Sequence, residues 1–218
     1  MKLLIVAATE AEIGPFLEDR ENAGADAAAE VLITGVGMVA TTYALTKHLQ
    51  ACKYDLVLQV GIGGSFDKSI EPGSLVFVNS DRYGDLGAED HDNYIDIFEM
   101  GLMDKDSHPH SKGMLTNPIS PVCEHITLPK TNGLTVNTVS GNERTIQQRT
   151  DRYGCAVESM EGAAFHYVCL REGIAFAQVR AISNYVTPRD KSQWRMQDAI
   201  SNLNKWLAVF AAEAAQRP

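Results

Sequence analysis

The sequence predicts an α/β fold in three layers, and three observations carry that prediction. Uninterrupted apolar runs of strand length recur along the chain, as they do in strands buried on both faces. Amphipathic helical patterns alternate with them. No fixed-period repeat, low-complexity tract or Pro/Gly/Ser linker divides the 218 residues, so one domain over 1–218 is expected.

Lys2 to Ala8 is the first strand run, and Glu30 to Thr34 and Leu56 to Val60 repeat it. Between the last two, Val39, Thr42, Tyr43, Leu45, Thr46 and Leu49 recur at three- and four-residue intervals and predict a helix over Met38 to Cys52. Leu75 to Val78 offers a further strand. Asp81 to Pro121 is polar, rich in Gly, Pro, His and Asp, and reads as a loop-rich excursion. Helical spacing returns from Met160 to Arg171 and stops at Gly173, after which Ile174 to Ser183 is a strand. Beyond Pro188 the positions Met196, Ala199, Ile200, Leu203, Trp206, Leu207 and Phe210 form one stripe of a final helix.

Composition narrows the function. A formal charge of −9 excludes the broad basic footprint that DNA or RNA binding needs, which leaves a small-molecule ligand. Cys52, Cys123, Cys155 and Cys169 are widely spaced without a C-x-x-C pair, as free thiols of a reducing compartment are. The apolar start is broken by Glu10 and Glu12, too early for a signal peptide or a membrane span. A cytoplasmic location and no membrane partner are therefore expected.

Gly35-Val36-Gly37-Met38-Val39-Ala40 fits the dinucleotide fingerprint G-x-G-x-x-A, and Asp55 follows at the spacing of a ribose-binding acid. That acid must stand at the carboxyl end of its strand, however, whereas Asp55 precedes Leu56 to Val60. The competing reading is a tight turn that lets a helix pack closely; a non-catalytic, Rossmann-like nucleotide binder is the alternative function. Gly61-Ile62-Gly63-Gly64-Ser65 after a buried strand reads as a turn, either bland or one that brings backbone N–H groups to a ligand. Asp90-His91-Asp92 and Asp104, Asp106, His108 and His110 are metal-ligand residue types, but without the spacing of a site. No metal and no cofactor is expected.

The most informative segment is Val157-Glu158-Ser159-Met160-Glu161-Gly162-Ala163-Ala164, which sets a carboxylate at the start of a helix. Helix starts favour acidic residues without any function. Glu161 gains weight from Glu12, just past the first strand, and from Ser183-Asn184 at the end of another, since all three can meet at the carboxyl edge of one sheet.

These residues resemble the nucleosidase branch of the purine nucleoside phosphorylase superfamily, over nearly the whole chain. Ala8-Thr9-Glu10-Ala11-Glu12, Gly35 to Ala40, Gly61 to Gly64, Ser140-Gly141-Asn142, Met160-Glu161 and Arg180-Ala181-Ile182-Ser183-Asn184 follow in the order of methylthioadenosine/S-adenosylhomocysteine nucleosidases. The resemblance implies a mixed, partly barrel-like central sheet between helical layers, a nucleoside substrate, and a homodimer or larger homo-oligomer. It also implies that Glu161 accepts from the ribose hydroxyls, that Met160 packs on the sugar and that Glu12 activates water. Ile62, Gly63, Arg144, Thr145 and Asn184 fall on the base side. Phosphorylases of the superfamily carry an arginine in the opening loop, where this chain has Glu12 and no Arg before Asp19, so water is the expected nucleophile.

One departure refines the substrate. Adenine-releasing members have Asp where this chain has Asn184, and an amide can donate to O6 of a 6-oxopurine while its carbonyl accepts from a protonated N7. Asn184, Glu158-Ser159 before Met160, and the tail from Tyr185 to Asp190 with Trp194 resemble the futalosine hydrolase branch, which releases hypoxanthine in a menaquinone pathway. Arg189 and Arg144 are the candidate partners for the carboxyphenyl group on the 5′ side of that substrate. A methylthioadenosine/S-adenosylhomocysteine or aminodeoxyfutalosine nucleosidase is the alternative.

Overall fold

A computed structural model of the chain describes residues 1–23, 29–91 and 93–216. Its elements in order are β1 (Leu3–Ala7), α1 (Glu10–Ala23), β2 (Ala29–Ile33), α2 (Met38–Ala51), β3 (Leu56–Ser65), β4 (Leu75–Asp81), β5 (Gly87–Asp90), β6 (Asn93–Asp96) and β7 (Leu115–Thr116). They continue with β8 (Lys130–Thr135), α3 (Glu143–Tyr153), β9 (Val157–Ser159), α4 (Gly162–Glu172), β10 (Phe176–Tyr185) and α5 (Met196–Ala215).

The sheet is mixed and partly closed, as the resemblance implies. β3, β9, β8, β4 and β10 form a ring, because β10 pairs with both β4 and β3. β1 and β2 extend it as parallel strands beside β3, and β7 adds to β4. α1 and α5 cover one face, where Ile13, Phe16, Leu203, Leu207 and Phe210 pack on β1, β3 and β10. α2 and α4 cover the other, where Leu45, Leu49, Phe165 and Val168 meet Leu4, Val6 and Val57. Burying each such side chain stabilises the fold by about 1.5–3 kcal/mol relative to exposing it.

Three expectations are corrected. Gly61 to Ser65 is not a turn but the second half of β3, paired with β10 on one side and β9 on the other. Asp81 to Pro121 is not only loop, since β5 and β6 form a hairpin there and β7 joins the main sheet. The helical spacing from Met160 belongs to a helix that begins at Gly162, with Glu161 as its N-cap. Of the candidate metal residues, Asp92 lies outside the described residues, and Asp104 and Asp106 accept backbone N–H groups of their own loop.

Candidate active site

A cavity of about 450 Å³ opens at the carboxyl ends of β1, β3 and β10. Glu12, Ile62, Gly63, Met160, Glu161, Asn184 and Arg189 all line it, joined by Glu158 and Trp194. The three segments expected to converge do so around this one space.

Glu12 stands in the first turn of α1 and is 9% exposed. Its Oε2 accepts from the Thr9 N–H and hydroxyl, each at 3.1 Å, as the glutamate of a capping box reaches back over a helix start. Its Oε1 accepts from the Ile62 N–H at 3.1 Å. A carboxylate offers about four acceptor positions, so one remains on the cavity side.

Glu161 is 5% exposed. Its Oε1 accepts from the Gly37 N–H at 3.0 Å, and its Oε2 pairs with Arg180 Nη1 at 3.4 Å. Gly37 caps α2 at φ 92°, a left-handed conformation that suits glycine. The glycine turn therefore offers its helix start to the chain's own carboxylate, where a dinucleotide-binding protein would hold pyrophosphate. Asp55, in turn, lies at the opposite strand ends and accepts from the Lys2 N–H at 2.6 Å. Both observations set the Rossmann-like reading aside.

Arg180 was not among the expected site residues. Its guanidinium is buried, at 1% exposure, and donates to Gln59 Oε1 at 3.1 Å and to the Ile62 carbonyl at 3.3 Å as well as to Glu161. Glu12 and Arg180 both sit over Gly61, where a Cβ would come 2.9 Å from Glu12 Oε1 and 2.6 Å from Arg180 Nη1. Arg180 thus pairs with Glu161, while Glu12 approaches the same glycine from its bond to the Ile62 N–H. An arginine inside the buried run Ile174 to Ser183 was the available signal, because an unpaired charge is not tolerated there.

On the base side, β10 slips register between Ile182 and Asn184, a bulge that sets Asn184 opposite Gly64. Asn184 Oδ1 accepts from the Ser183 hydroxyl at 2.8 Å and Nδ2 donates to the Tyr185 carbonyl at 2.8 Å. One N–H and one lone pair of the amide stay available. Arg189 is exposed at the mouth and lies 5.3 Å from the centre of the Trp194 ring.

Arg144 and Thr145 are not brought to the cavity. Asn142 caps α3 by accepting the Thr145 N–H at 2.9 Å, which turns both residues onto the start of that helix; Thr145 lines a separate groove with Arg149 and Tyr153. Glu158 was quoted in the motif but not expected to face a ligand. It is 5% exposed and accepts from the Ser140 N–H at 2.8 Å, the Ser140 hydroxyl at 2.6 Å and Arg149 Nη1 at 3.0 Å.

Behind the site lies a buried polar cluster. Burial raises the Asp81 carboxyl to about 6 against the opposing pull of Thr135 and the Arg82 N–H, and burial lowers the His166 imidazole to about 4. Gln178 links them to the site when its amide nitrogen donates to Asp81 and His166 and its oxygen accepts from Arg180 Nε at 3.2 Å.

Comparison with known proteins identifies the family and agrees with the fold. A phosphorylase superfamily model matches residues 24–215. The chain is 31% identical over 164 residues to futalosine hydrolase of Streptomyces coelicolor, across 72% of this chain and 66% of that protein. It is 29% identical over 230 residues to futalosine hydrolase of Acidothermus cellulolyticus, across 97% and 91%. Its fold superposes with a TM-score of 0.78 on the 5′-methylthioadenosine/S-adenosylhomocysteine nucleosidase of Colwellia psychrerythraea in complex with adenine, at 20% identity over 98% of this chain and 95% of that one. With a family match across most of its length and the ring-closed sheet in place, the chain belongs to the phosphorylase superfamily.

Proposed function

We propose that this protein hydrolyses the N-glycosidic bond of a 6-oxopurine nucleoside, with futalosine as substrate and hypoxanthine as the released base. The observation that carries this is the pair Glu12 and Glu161 at the wall of one cavity, Glu161 held by the buried Arg180 and Glu12 by the Ile62 N–H. Glu161 has two acceptor positions left after Gly37 and Arg180, which match the two donors of a ribose 2′,3′-diol. Glu12 has one, which matches one water.

In the proposed reaction the C1′–N9 bond breaks and its electron pair goes to the purine. Positive charge grows on the ribose, where the two carboxylates stabilise it. The purine takes up a proton from solvent at N7, and the Asn184 carbonyl accepts from that N7–H as the base departs; water attacks C1′ while Glu12 takes its proton, which then passes to solvent. Met160 packs on the sugar, Ile62 and Gly63 lie along the base side, and Arg189 at the mouth suits the 5′ carboxylate. Phosphate is disfavoured as nucleophile because Glu12, Glu158 and Glu161 line the cavity, and the buried guanidinium of Arg180 is already engaged by Gln59 and Glu161.

The two sequence relatives above, both futalosine hydrolases, support the substrate. Purified protein should release hypoxanthine from futalosine faster than adenine from aminodeoxyfutalosine or methylthioadenosine. Adenine release from methylthioadenosine without hypoxanthine from futalosine would select the alternative nucleosidase. We also read this protein as a homo-oligomer of single-domain chains. Val36, Val39 and Tyr43 leave 55%, 82% and 68% of their surface exposed at and after the glycine turn, an apolar face suited to a second copy. A monomer in sedimentation would reject that part. Among the described residues no helix is long and apolar enough to cross a membrane.

A further inference from the structure

Glu158 is a buried carboxylate that the proposed reaction leaves without a task. Gly64 pairs with Glu158 of β9 on one side and with Asn184 of β10 on the other, so the two side chains flank the same stretch of β3 from neighbouring strands. Residues paired directly across strands share a face, and two strand spacings set these backbones about 10 Å apart. Gly64 puts no side chain between them, and all three residues line the cavity. A planar base entering the cavity over Gly64 would therefore have Glu158 toward one edge and Asn184 toward the other.

The carboxylate is held but not filled. Oε1 accepts from the Ser140 hydroxyl and from Arg149, while Oε2 accepts from the Ser140 N–H; among the described residues one acceptor position on Oε2 remains. All three of its bonds are ones it accepts, so what it turns to the cavity is an acceptor. A 6-oxopurine carries a proton on N1, next to the O6 that Asn184 addresses. A 6-aminopurine carries a lone pair there instead, and an acceptor facing an acceptor is penalised.

We infer that Glu158 is a specificity-determining residue that accepts the N1–H of a 6-oxopurine base and turns away 6-aminopurines. This rests on the nucleosidase reading above, and it divides base recognition between two residues: Asn184 reads O6 and N7, and Glu158 reads N1. It also assigns to β9 the selectivity that Arg144 and Thr145 do not supply.

The test is the ratio of dissociation constants for free hypoxanthine and free adenine, by calorimetry, in the wild type and in Glu158→Gln. A glutamine can keep its oxygen toward the Ser140 hydroxyl and Arg149 and turn its NH2 toward N1, giving up the bond that Oε2 accepts from the Ser140 N–H. The preference for hypoxanthine should therefore fall roughly tenfold to hundredfold, through weaker hypoxanthine and stronger adenine binding. Were Glu158 only a support for Ser140 and Arg149, both bases would weaken together and the ratio would hold, which overturns the assignment. If the variant does not fold, the wild type alone decides. 1-Methylhypoxanthine, which lacks the N1 proton, should bind at least tenfold more weakly than hypoxanthine, and equal binding refutes the proposal. A shifted ratio in a protein that releases base from no nucleoside would reject the hydrolase reading and keep this one. An unchanged ratio in an active hydrolase would do the reverse.

Discussion

Replacing Gly61 by Ala adds one methyl group between Glu12 and the guanidinium of Arg180. That methyl would lie 2.6 Å from Arg180 Nη1 and 2.9 Å from Glu12 Oε1, where ordinary contacts begin near 3.4 Å. One or both groups must move by about 0.5–0.8 Å, and overpacking of this kind costs about 1–3 kcal/mol. Arg180 has little room to retreat, because Gln59, Ile62 and Glu161 hold it from other sides. Glu12 is the freer partner and should move away from the water position. A misplacement of this size predicts a fall in kcat of roughly 10- to 100-fold. The same strain should lower Tm by about 2–12 °C for a chain of this length. Chromatographic base release and a thermal melt on the same preparation measure both. A folded G61A protein with unchanged kcat would show that the junction of Glu12 and Arg180 does not govern turnover.

Three further outcomes follow. Glu12→Gln should lower kcat by about 10²–10⁴ with little change in KM, because the lost function is proton abstraction in the transition state; steady-state kinetics that leave kcat intact would remove Glu12 from the reaction. Asn184→Asp should shift the ratio of kcat/KM values toward the 6-amino substrate by roughly tenfold or more, and an unmoved ratio would mean that residue 184 does not read the base. Asp81 and His166 should act on stability in opposite directions. Asp81, raised by burial to about 6, contributes stability that is present below its ordinary value near 4 and lost as pH rises through 6. His166, lowered by burial to about 4, contributes stability present above its ordinary 6.5 and lost as pH falls through 4. Asp81→Asn removes the first and leaves the second, so between pH 4 and 6 its unfolding free energy should rise more steeply with pH than the wild type's, by about 1.4 kcal/mol per unit. Denaturant titrations across that range check the slope, and parallel profiles would contradict the assignment.

What could be read from the sequence was whatever has a period or an obligatory neighbour. β1, β3 and β10 are buried on both faces and appear as apolar runs, and α2 and α5 show their stripes. α3 was invisible because Glu143–Tyr153 is almost entirely polar and charged and buries no residue fully, so its inner face carries few apolar side chains. α1 was hidden by Gly14-Pro15 inside it, although Thr9 and Glu12 spell a capping box. The glycines of Gly61 to Ser65 suggested a turn, whereas in β3 they clear space for Arg180, Glu12 and Asn184. Closure of the ring depends on β10 meeting both β3 and β4, a non-local pairing that no local pattern announces. Within the site, Glu12, Glu161 and Asn184 were legible because strand ends and helix starts bring them to one edge. Arg144 and Thr145 were misplaced because a cap by Asn142, set by three residues of loop, turns that segment outward. Arg180 and Glu158 were missed for a shared reason. A buried charge declares its role only through its partners, and theirs lie on other strands and helices.

The central claim is that water, held by Glu12, attacks the ribose of a 6-oxopurine nucleoside. Futalosine hydrolysis in ¹⁸O-labelled water without phosphate, followed by mass spectrometry of both products, tests it most directly. The account predicts unlabelled hypoxanthine and a sugar product heavier by one ¹⁸O. Base release that requires phosphate and yields an unlabelled ribose 1-phosphate, or no base release at all, would contradict it.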